Sequence, residues 1–170
     1  MPISQARKLL LASVIVLTGC ASEFVVSVNE QAIYDPQGRL ITGEVDDADL
    51  QGCINLAMQQ QQVASAAELT VLSCANSEIS NLENIDQLLS LRFLDLGNNN
   101  ISNITPLEEL PLLSGINLLN NRLTDIGPLF NMPNLSSVNL IGNNSIDCDE
   151  LAALQARLGS NLTSPESCDN

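Results

Sequence analysis

The sequence predicts an α/β solenoid, a short array of stacked repeats in which each repeat contributes one strand and a returning turn. Three observations predict it. Leucine and asparagine supply 29 and 19 of the 170 residues, whereas the aromatic residues are three Phe, one Tyr and no Trp. Apolar residues also recur at a spacing of 22 from Leu69 onward. Such a biased composition at a fixed period is typical of repeat proteins, whose units bury their apolar side only by stacking.

The first element, residues 1–19, has the form of an export signal. Arg7 and Lys8 precede an apolar run over residues 9–17, which is shorter than the roughly 20 residues that a membrane span needs. The run ends in LTGC at residues 17–20, which resembles the lipobox of bacterial lipoproteins. This resemblance implies cleavage before Cys20, a diacylglycerol on the Cys20 thiol and an acyl chain on its new amino group.

The predicted location is the bacterial cell envelope, because two or more acyl chains anchor a protein stably to a membrane. Ala21 and Ser22 follow Cys20, with no Asp at the second position. In enteric-type lipoproteins this pattern goes with sorting to the outer membrane. The lipidated segment 20–46 contains turn chemistry at Asp35-Pro36-Gln37-Gly38, and both a short hairpin and an extended stalk fit it.

Residues 47–68 are predicted to form an amino-terminal helical cap. A helix over residues 47–59 would have acids at its start, where they favour the helix dipole. Its apolar positions follow helical spacing and fall on one face. These positions are Leu50, Cys53, Ile54 and Ala57.

Residues 69–146 divide into rows of 22 that align in apolar columns. The fourth column holds Leu72, Leu94, Ile116 and Val138. The rows resemble leucine-rich repeats of pattern LxxLxLxxNxL, and their length resembles the internalin-like class. The resemblance implies a right-handed arc with one parallel sheet on the concave side and 3₁₀ turns on the convex side. In the ninth column stand Asn99, Asn121 and Asn143, whose amides are expected to satisfy backbone groups.

Residues 147–170 are predicted to form a carboxy-terminal helical cap. Asp147 is the expected N-cap, with Glu150 three residues on. The predicted apolar face consists of Leu151, Leu154 and Leu158, and Gly159 is expected to end the helix.

Four cysteines besides Cys20 are expected to form disulfides, since export leads to an oxidising compartment. Of the three connectivities available, we favour Cys53 with Cys74 and Cys148 with Cys168, because each pair joins a cap to its own neighbourhood. A zinc site is disfavoured because the sequence has no CxxC motif and no His. No metal or cofactor is predicted.

The best candidate binding surface is the outward side of the strands. Alternating strand positions point away from the core, which places a polar stripe of Ser73, Asp95, Asn117 and Asn139 beside apolar side chains. Exposed apolar residues in an otherwise polar surface can mark a contact site, although isolated ones are common. The predicted partner-binding residues are Phe93, Asp95, Asn117, Leu119, Asn139 and Ile141.

Charge excludes several function classes. Six Lys and Arg face twenty Asp and Glu, so nucleic acid, which needs cations against its phosphates, is not an expected partner. With no His, the usual base of Ser or Cys nucleophile systems is missing, and we predict no enzyme. The acidic groups at residues 46–49 and 147–150 are expected to cap helices, with calcium binding left open.

The predicted function is therefore that of a lipid-anchored envelope protein whose repeats bind another macromolecule on the concave face. The resemblance implies a protein-interaction module, and the partner is another protein or a glycan. The alternative is a structural envelope lipoprotein without a specific concave-face ligand. The family resemblance suggests how the protein acts but does not identify its partner.

Overall fold

The computed structural model describes residues 26–28, 31–34 and 45–168, with side chains from residue 45 onward. The predicted signal peptide at residues 1–19, the lipidation residue Cys20 and the turn at residues 35–38 lie outside the described residues. Two strands precede the repeats, β1 (Val26–Val28) and β2 (Gln31–Tyr34), and they pair antiparallel. Of the two alternatives for this segment, the hairpin agrees with that pairing.

The repeats form one parallel sheet of five strands, which run in chain order from β3 to β7. Equivalent residues of successive rows face each other, as in the pairing of Leu72 with Leu94. The inward side chains at this column are at most 3% exposed, so the predicted apolar columns form the core. The strands are β3 (Val71–Ser73), β4 (Phe93–Asp95), β5 (Gly115–Asn117), β6 (Ser137–Asn139) and β7 (Leu162–Thr163).

Short helical turns carry the chain back from each strand to the next. Two are 3₁₀ helices, Ile85–Gln87 and Thr105–Glu109, and the third is a single α-helical turn, α2 (Gly127–Phe130). Their inward apolar side chains, such as Ile85 and Leu107, are buried. The α/β solenoid with a parallel sheet and 3₁₀ turns is confirmed. In the part of the chain that the structure describes, the helices are too short or too polar to cross a membrane.

Buried asparagines connect the repeats just beyond the strands. The Asn121 amide Nδ2 donates to the carbonyl oxygens of Leu96 and Leu118 at 2.9 and 3.0 Å, and its Oδ1 accepts from the Ile101 N–H at 3.0 Å. Asn99 and Asn143 make equivalent bonds in their own rows. The prediction that this column satisfies backbone groups is confirmed.

The amino-terminal cap is α1 (Ala48–Gln61), whose apolar face covers the first repeat. Its predicted apolar residues Leu50, Cys53, Ile54 and Ala57 are all buried. At the other end of the helix, the Gln61 side chain donates to the Val71 carbonyl oxygen at 2.8 Å. The helix therefore covers the outer edge of β3 and closes this end of the sheet.

Asp47 connects α1 to the first repeat. Its Oδ1 accepts from the Asp49 and Leu50 N–H groups, both at 3.1 Å, and its Oδ2 accepts from the Ser80 and Asn81 N–H groups at 2.9 and 3.1 Å. Partial burial by itself would raise the pKa of Asp47, but these four backbone donors outweigh it and lower the pKa. The carboxylate thus favours the ionised form while it caps the helix.

We expect Asp47→Ala to lower the free energy of unfolding by about 2 kcal/mol, because it removes a helix cap and a link to the next loop. Asp147→Ala is the matched control: among the described residues the Asp147 side chain accepts only from the Asp149 and Glu150 N–H groups of its own helix, and a loss of about 1 kcal/mol is expected. Urea denaturation measures both. Equal losses would contradict the linking role of Asp47.

The stability difference between wild type and Asp47→Ala is expected to depend on pH. Because the folded-state pKa of Asp47 is lowered, the unfolded chain binds the proton first, and the stabilisation is present above the unfolded pKa of about 3.9. It is lost as the pH falls through the folded-state pKa. The stability difference between wild type and Asp47→Ala should therefore be smaller at pH 3 than at pH 7, and an unchanged difference would contradict this assignment.

The carboxy-terminal cap begins with α3 (Cys148–Leu158), which has Asp147 as its N-cap and ends at Gly159. The Arg157 guanidinium donates to the carbonyl oxygens of Leu129, Phe130 and Met132, which connects α3 to the end of α2 and the residues just after it. The predicted apolar residues Leu151, Leu154 and Leu158 are buried.

The sequence did not predict β7. Residues 162–163 follow α3 and pair parallel with β6, so that Leu162 faces Val138 and Thr163 faces Asn139. The strand is two residues long and is followed by Pro165, which has no N–H to extend the pairing. The sheet ends at this strand.

Both disulfides join a cap to its own neighbourhood. The sulfur atoms of Cys53 and Cys74 lie 2.02 Å apart, and those of Cys148 and Cys168 lie 2.06 Å apart. These are the two pairs that the sequence favoured. The first attaches α1 to the chain just after β3, and the second attaches the start of α3 to the end of the described chain.

Candidate functional site

The outward side of the sheet, which we call the concave face, consists of three columns of side chains. The first column holds Val71, Phe93, Gly115 and Ser137, and the second holds Ser73, Asp95, Asn117, Asn139 and Thr163, in the register of the paired strands. The third column lies just beyond the strands and holds Ala75, Gly97, Leu119 and Ile141. All six predicted partner-binding residues fall in these columns.

Apolar side chains are exposed at two places on the concave face. Val71 and Phe93, on neighbouring strands, are 47% and 43% exposed, and Ile141 is 38% exposed. Leu119 beside Ile141 is half-buried. Sequence reasoning did not single out Val71, although its alignment with Phe93 in the first column was a signal that could have identified it.

Phe93 lies over its neighbour in the first column, Gly115. A Cβ atom at Gly115 would approach the Phe93 ring carbon Cδ2 to 2.9 Å and the Ser137 Oγ to 3.1 Å. The absence of a side chain at Gly115 therefore leaves room for the Phe93 ring, which stays partly exposed.

The first three residues of the polar column are hydrogen-bonded to one another. The Asn117 amide donates to the Asp95 Oδ1 at 2.8 Å, and the Ser73 hydroxyl donates to the Asp95 Oδ2 at 3.4 Å. Of the residues in these three columns, Asp95 is the one that is acidic. Its carboxylate is thus already engaged by neutral donors of the same face.

The same column also fixes the backbone where the strands end. In three successive rows the side-chain Oδ1 accepts from the N–H group two residues later, a local turn that Asp and Asn favour. The distances are 3.0 Å from Asp95 to Gly97, 3.2 Å from Asn117 to Leu119 and 3.2 Å from Asn139 to Ile141. These residues therefore orient the third column and have a structural role of their own.

Three carboxylates of the acidic groups considered for calcium are engaged in helix capping or loop contacts. Asp47 and Asp147 are N-caps, and the Asp46 Oδ1 accepts from the Asn84 amide at 2.8 Å. Within the ranges that the structure describes, no three His, Cys, Asp or Glu side chains are grouped so that they could hold a metal ion. A cavity of about 380 Å³ lies away from the concave face, with Glu83, Asp86 and Glu109 in its wall.

Comparison with known proteins supports the repeat assignment. A family model described as leucine-rich repeats (2 copies) matches residues 67–109. Among curated proteins none matches the sequence.

Two solved internalins of Listeria monocytogenes resemble the structure. The first (inlF) is 27% identical with a TM-score of 0.60, over 78% of this chain and 39% of the internalin. The second (inlC2) is 23% identical with a TM-score of 0.57, over 71% of this chain and 54% of the internalin. The chain thus spans less than two thirds of either internalin. The rows within residues 67–109 match the leucine-rich-repeat model, and the chain has the fold of an internalin-like leucine-rich-repeat solenoid.

Proposed function

We propose that this chain is a lipid-anchored protein of the bacterial envelope whose leucine-rich-repeat domain binds another protein through the concave face. The observation that carries the proposal is the exposure of Phe93 and Ile141 on a face whose polar side chains are held in place by hydrogen bonds. The internalin-like fold suggests a protein-interaction module. Apolar side chains on a preformed surface bind at little cost in ordering.

The envelope location is supported by two features of the chain. The two disulfides suggest a compartment outside the cytoplasm, where such bonds persist. The LTGC sequence ending at Cys20 supplies the proposed anchor, and the residues after Cys20 favour the outer membrane. Catalysis and bound cofactors are not part of the proposal.

Cys20→Ala is expected to release the protein from membranes, because it removes the thiol that would carry the diacylglycerol. Fractionation of cells expressing wild type and variant measures this, with Cys20→Ser as a second variant of the same chemistry. Release should be nearly complete for both. Pelleting of both variants with the membranes as efficiently as wild type would refute the anchor.

Replacing Phe93 and Ile141 together with lysine is expected to abolish partner capture, since two charges would replace the apolar contacts of the concave face. Chemical cross-linking in intact cells measures the capture. These positions are preferable to the polar column, whose removal would also disturb the backbone. Leu89→Lys is the matched control, because Leu89 is 53% exposed and lies in the loop before β4. Identical captures by wild type and the double variant would contradict the binding role.

The alternative is a structural envelope lipoprotein with an inert concave face. One observation favours it: in the polar column, which the sequence suggested as a ligand stripe, Ser73, Asp95 and Asn117 already hydrogen-bond to one another and to the backbone. Under this alternative the double lysine variant would be folded, membrane-bound and functionally equivalent to wild type. The cross-linking experiment therefore separates the two proposals.

A further inference from the structure

The concave face has two apolar contacts separated by a polar column that is already engaged. Val71 and Phe93 form the first pair, at the amino-terminal ends of β3 and β4. Leu119 and Ile141 form the second pair, just after β5 and β6. Because the second column holds the backbone through its side-chain oxygens, a partner meets free side chains mainly in the first and third columns.

The register of the sheet sets the distance between the pairs. They are offset by two strands, about 9.6 Å at a strand spacing near 4.8 Å, and by four residues along the chain, about 13 Å at 3.3 Å per residue. The centres of the pairs are therefore roughly 16 Å apart along a diagonal. An extended peptide covers this distance with about five residues, whereas a helix needs about eleven.

The negative charge of the chain restricts the charge that a bound segment can have. The whole chain has a formal net charge of −14, yet Asp95 alone brings acidity to the concave columns, and its carboxylate accepts from Asn117, Gly97 and Ser73. An acidic segment would be repelled by the domain as a whole. A basic segment would be attracted by the net charge, but its cations would lose hydration against the apolar pairs, and the single carboxylate of the face already accepts three hydrogen bonds. An uncharged segment meets neither obstacle.

The remaining hydrogen-bonding groups favour an extended backbone over a helix. Among the described residues the Asn139 amide Nδ2 has no acceptor, while its Oδ1 is engaged by Ile141. A free amide donor is satisfied by a peptide carbonyl of an extended chain, since the carbonyls of a helix are already bonded internally. The exposed Thr163 hydroxyl extends this polar column by one strand.

We infer that the concave face binds an extended, uncharged peptide segment of its partner through two apolar side chains roughly 16 Å apart. One side chain packs against Val71 and Phe93, and the other packs against Leu119 and Ile141. The inference rests on the proposed protein-binding function and adds the chemistry and length of the bound segment.

The test is selection from a phage-displayed library of random dodecapeptides on the immobilised mature protein. We expect the enriched peptides to contain two apolar or aromatic residues separated by about four to six positions and few charged residues. Synthetic copies of the enriched peptides should bind the single variants Phe93→Lys and Ile141→Lys at least about tenfold more weakly than they bind wild type. Leu89→Lys should bind them as wild type does. Thermal unfolding verifies that every variant is folded.

Three outcomes would overturn the inference. The first is enrichment of peptides that bind the concave face, are rich in Lys or Arg, and bind more weakly as ionic strength rises. The concave face would then remain a binding site, but for a charged ligand. Peptides sensitive to one lysine variant and indifferent to the other would reduce the site to a single contact. Failure to enrich any peptide whose binding depends on the concave face would exclude a peptide ligand. The same holds if a glycan array instead gives a signal that Phe93→Lys abolishes. The cellular cross-linking experiment would then decide the proposed function independently.

Discussion

Removing both disulfides is expected to lower the free energy of unfolding by about 6 kcal/mol, roughly 3 kcal/mol for each. The bonds close separate loops, with sequence separations of 21 and 20 residues. Each restricts the unfolded chain by a similar amount, and the effects of distant sites add. For a domain of ordinary stability, about 5–15 kcal/mol, this loss is between roughly two fifths and all of the free energy of unfolding. Urea denaturation with and without reductant measures it.

Paired serine substitutions separate the two contributions. Cys53→Ser with Cys74→Ser should remove the first bond, and Cys148→Ser with Cys168→Ser the second, each at a cost of about 3 kcal/mol. Alkylation of the denatured, unreduced mature protein provides the control for oxidation state. Four alkylated thiols besides Cys20, or an unchanged denaturation midpoint after reduction, would show that the disulfides do not stabilise the protein.

Asn121→Ala is expected to cost about 4 kcal/mol of unfolding free energy. Asn121 is 8% exposed, and its side chain bonds the Leu96 and Leu118 carbonyls and the Ile101 N–H. Alanine would leave the Ile101 N–H without a partner in a region closed to water, which costs about 1–3 kcal/mol. It would also remove one of the two amide donors from each carbonyl, which Asn99 and Asn143 still bond, at about 1 kcal/mol for each lost hydrogen bond. Urea denaturation of the oxidised protein measures the effect.

Asn131→Ala provides the matched control for this loss. Asn131 is exposed, and its amide makes one side-chain bond, to the Glu108 carboxylate at 2.9 Å. A surface substitution of this kind should change stability by at most about 0.5 kcal/mol. If Asn121→Ala and Asn131→Ala behaved alike, the buried amides would not be the main support of the bends between strand and turn.

The repeat core and both caps were predictable because each depends on a local pattern. The spacing of 22 aligned the apolar columns, and the register confirms that alignment at Leu94 and Ile116. Helical spacing placed Leu50 and Ile54 on one buried face. The ninth-column asparagines were predictable from their type, since a buried amide in a repeat needs backbone partners.

The strand β7 and the role of the polar column were not predictable in the same way. Leu162 and Thr163 match no row, and they pair with β6 only because α3 returns the chain to the sheet. Asp95 and Asn117 stood in an outward column, which suggested ligands. Whether their oxygens face a partner or the backbone depends on the conformation of the turn after each strand. The alignment of residues in the column does not determine that conformation. The binding roles of the six predicted residues stay predictions.

The closed ends of the sheet have a consequence for crowded copies of this domain, such as the proposed membrane anchor would produce. Parallel strands with free edges can recruit strands from neighbouring molecules and grow into fibrils. Here α1 covers the edge of β3, while β7 offers two residues before Pro165. Crowded copies can therefore stand side by side without edge-to-edge polymerisation, and electrostatic repulsion between their acidic surfaces limits how closely they approach.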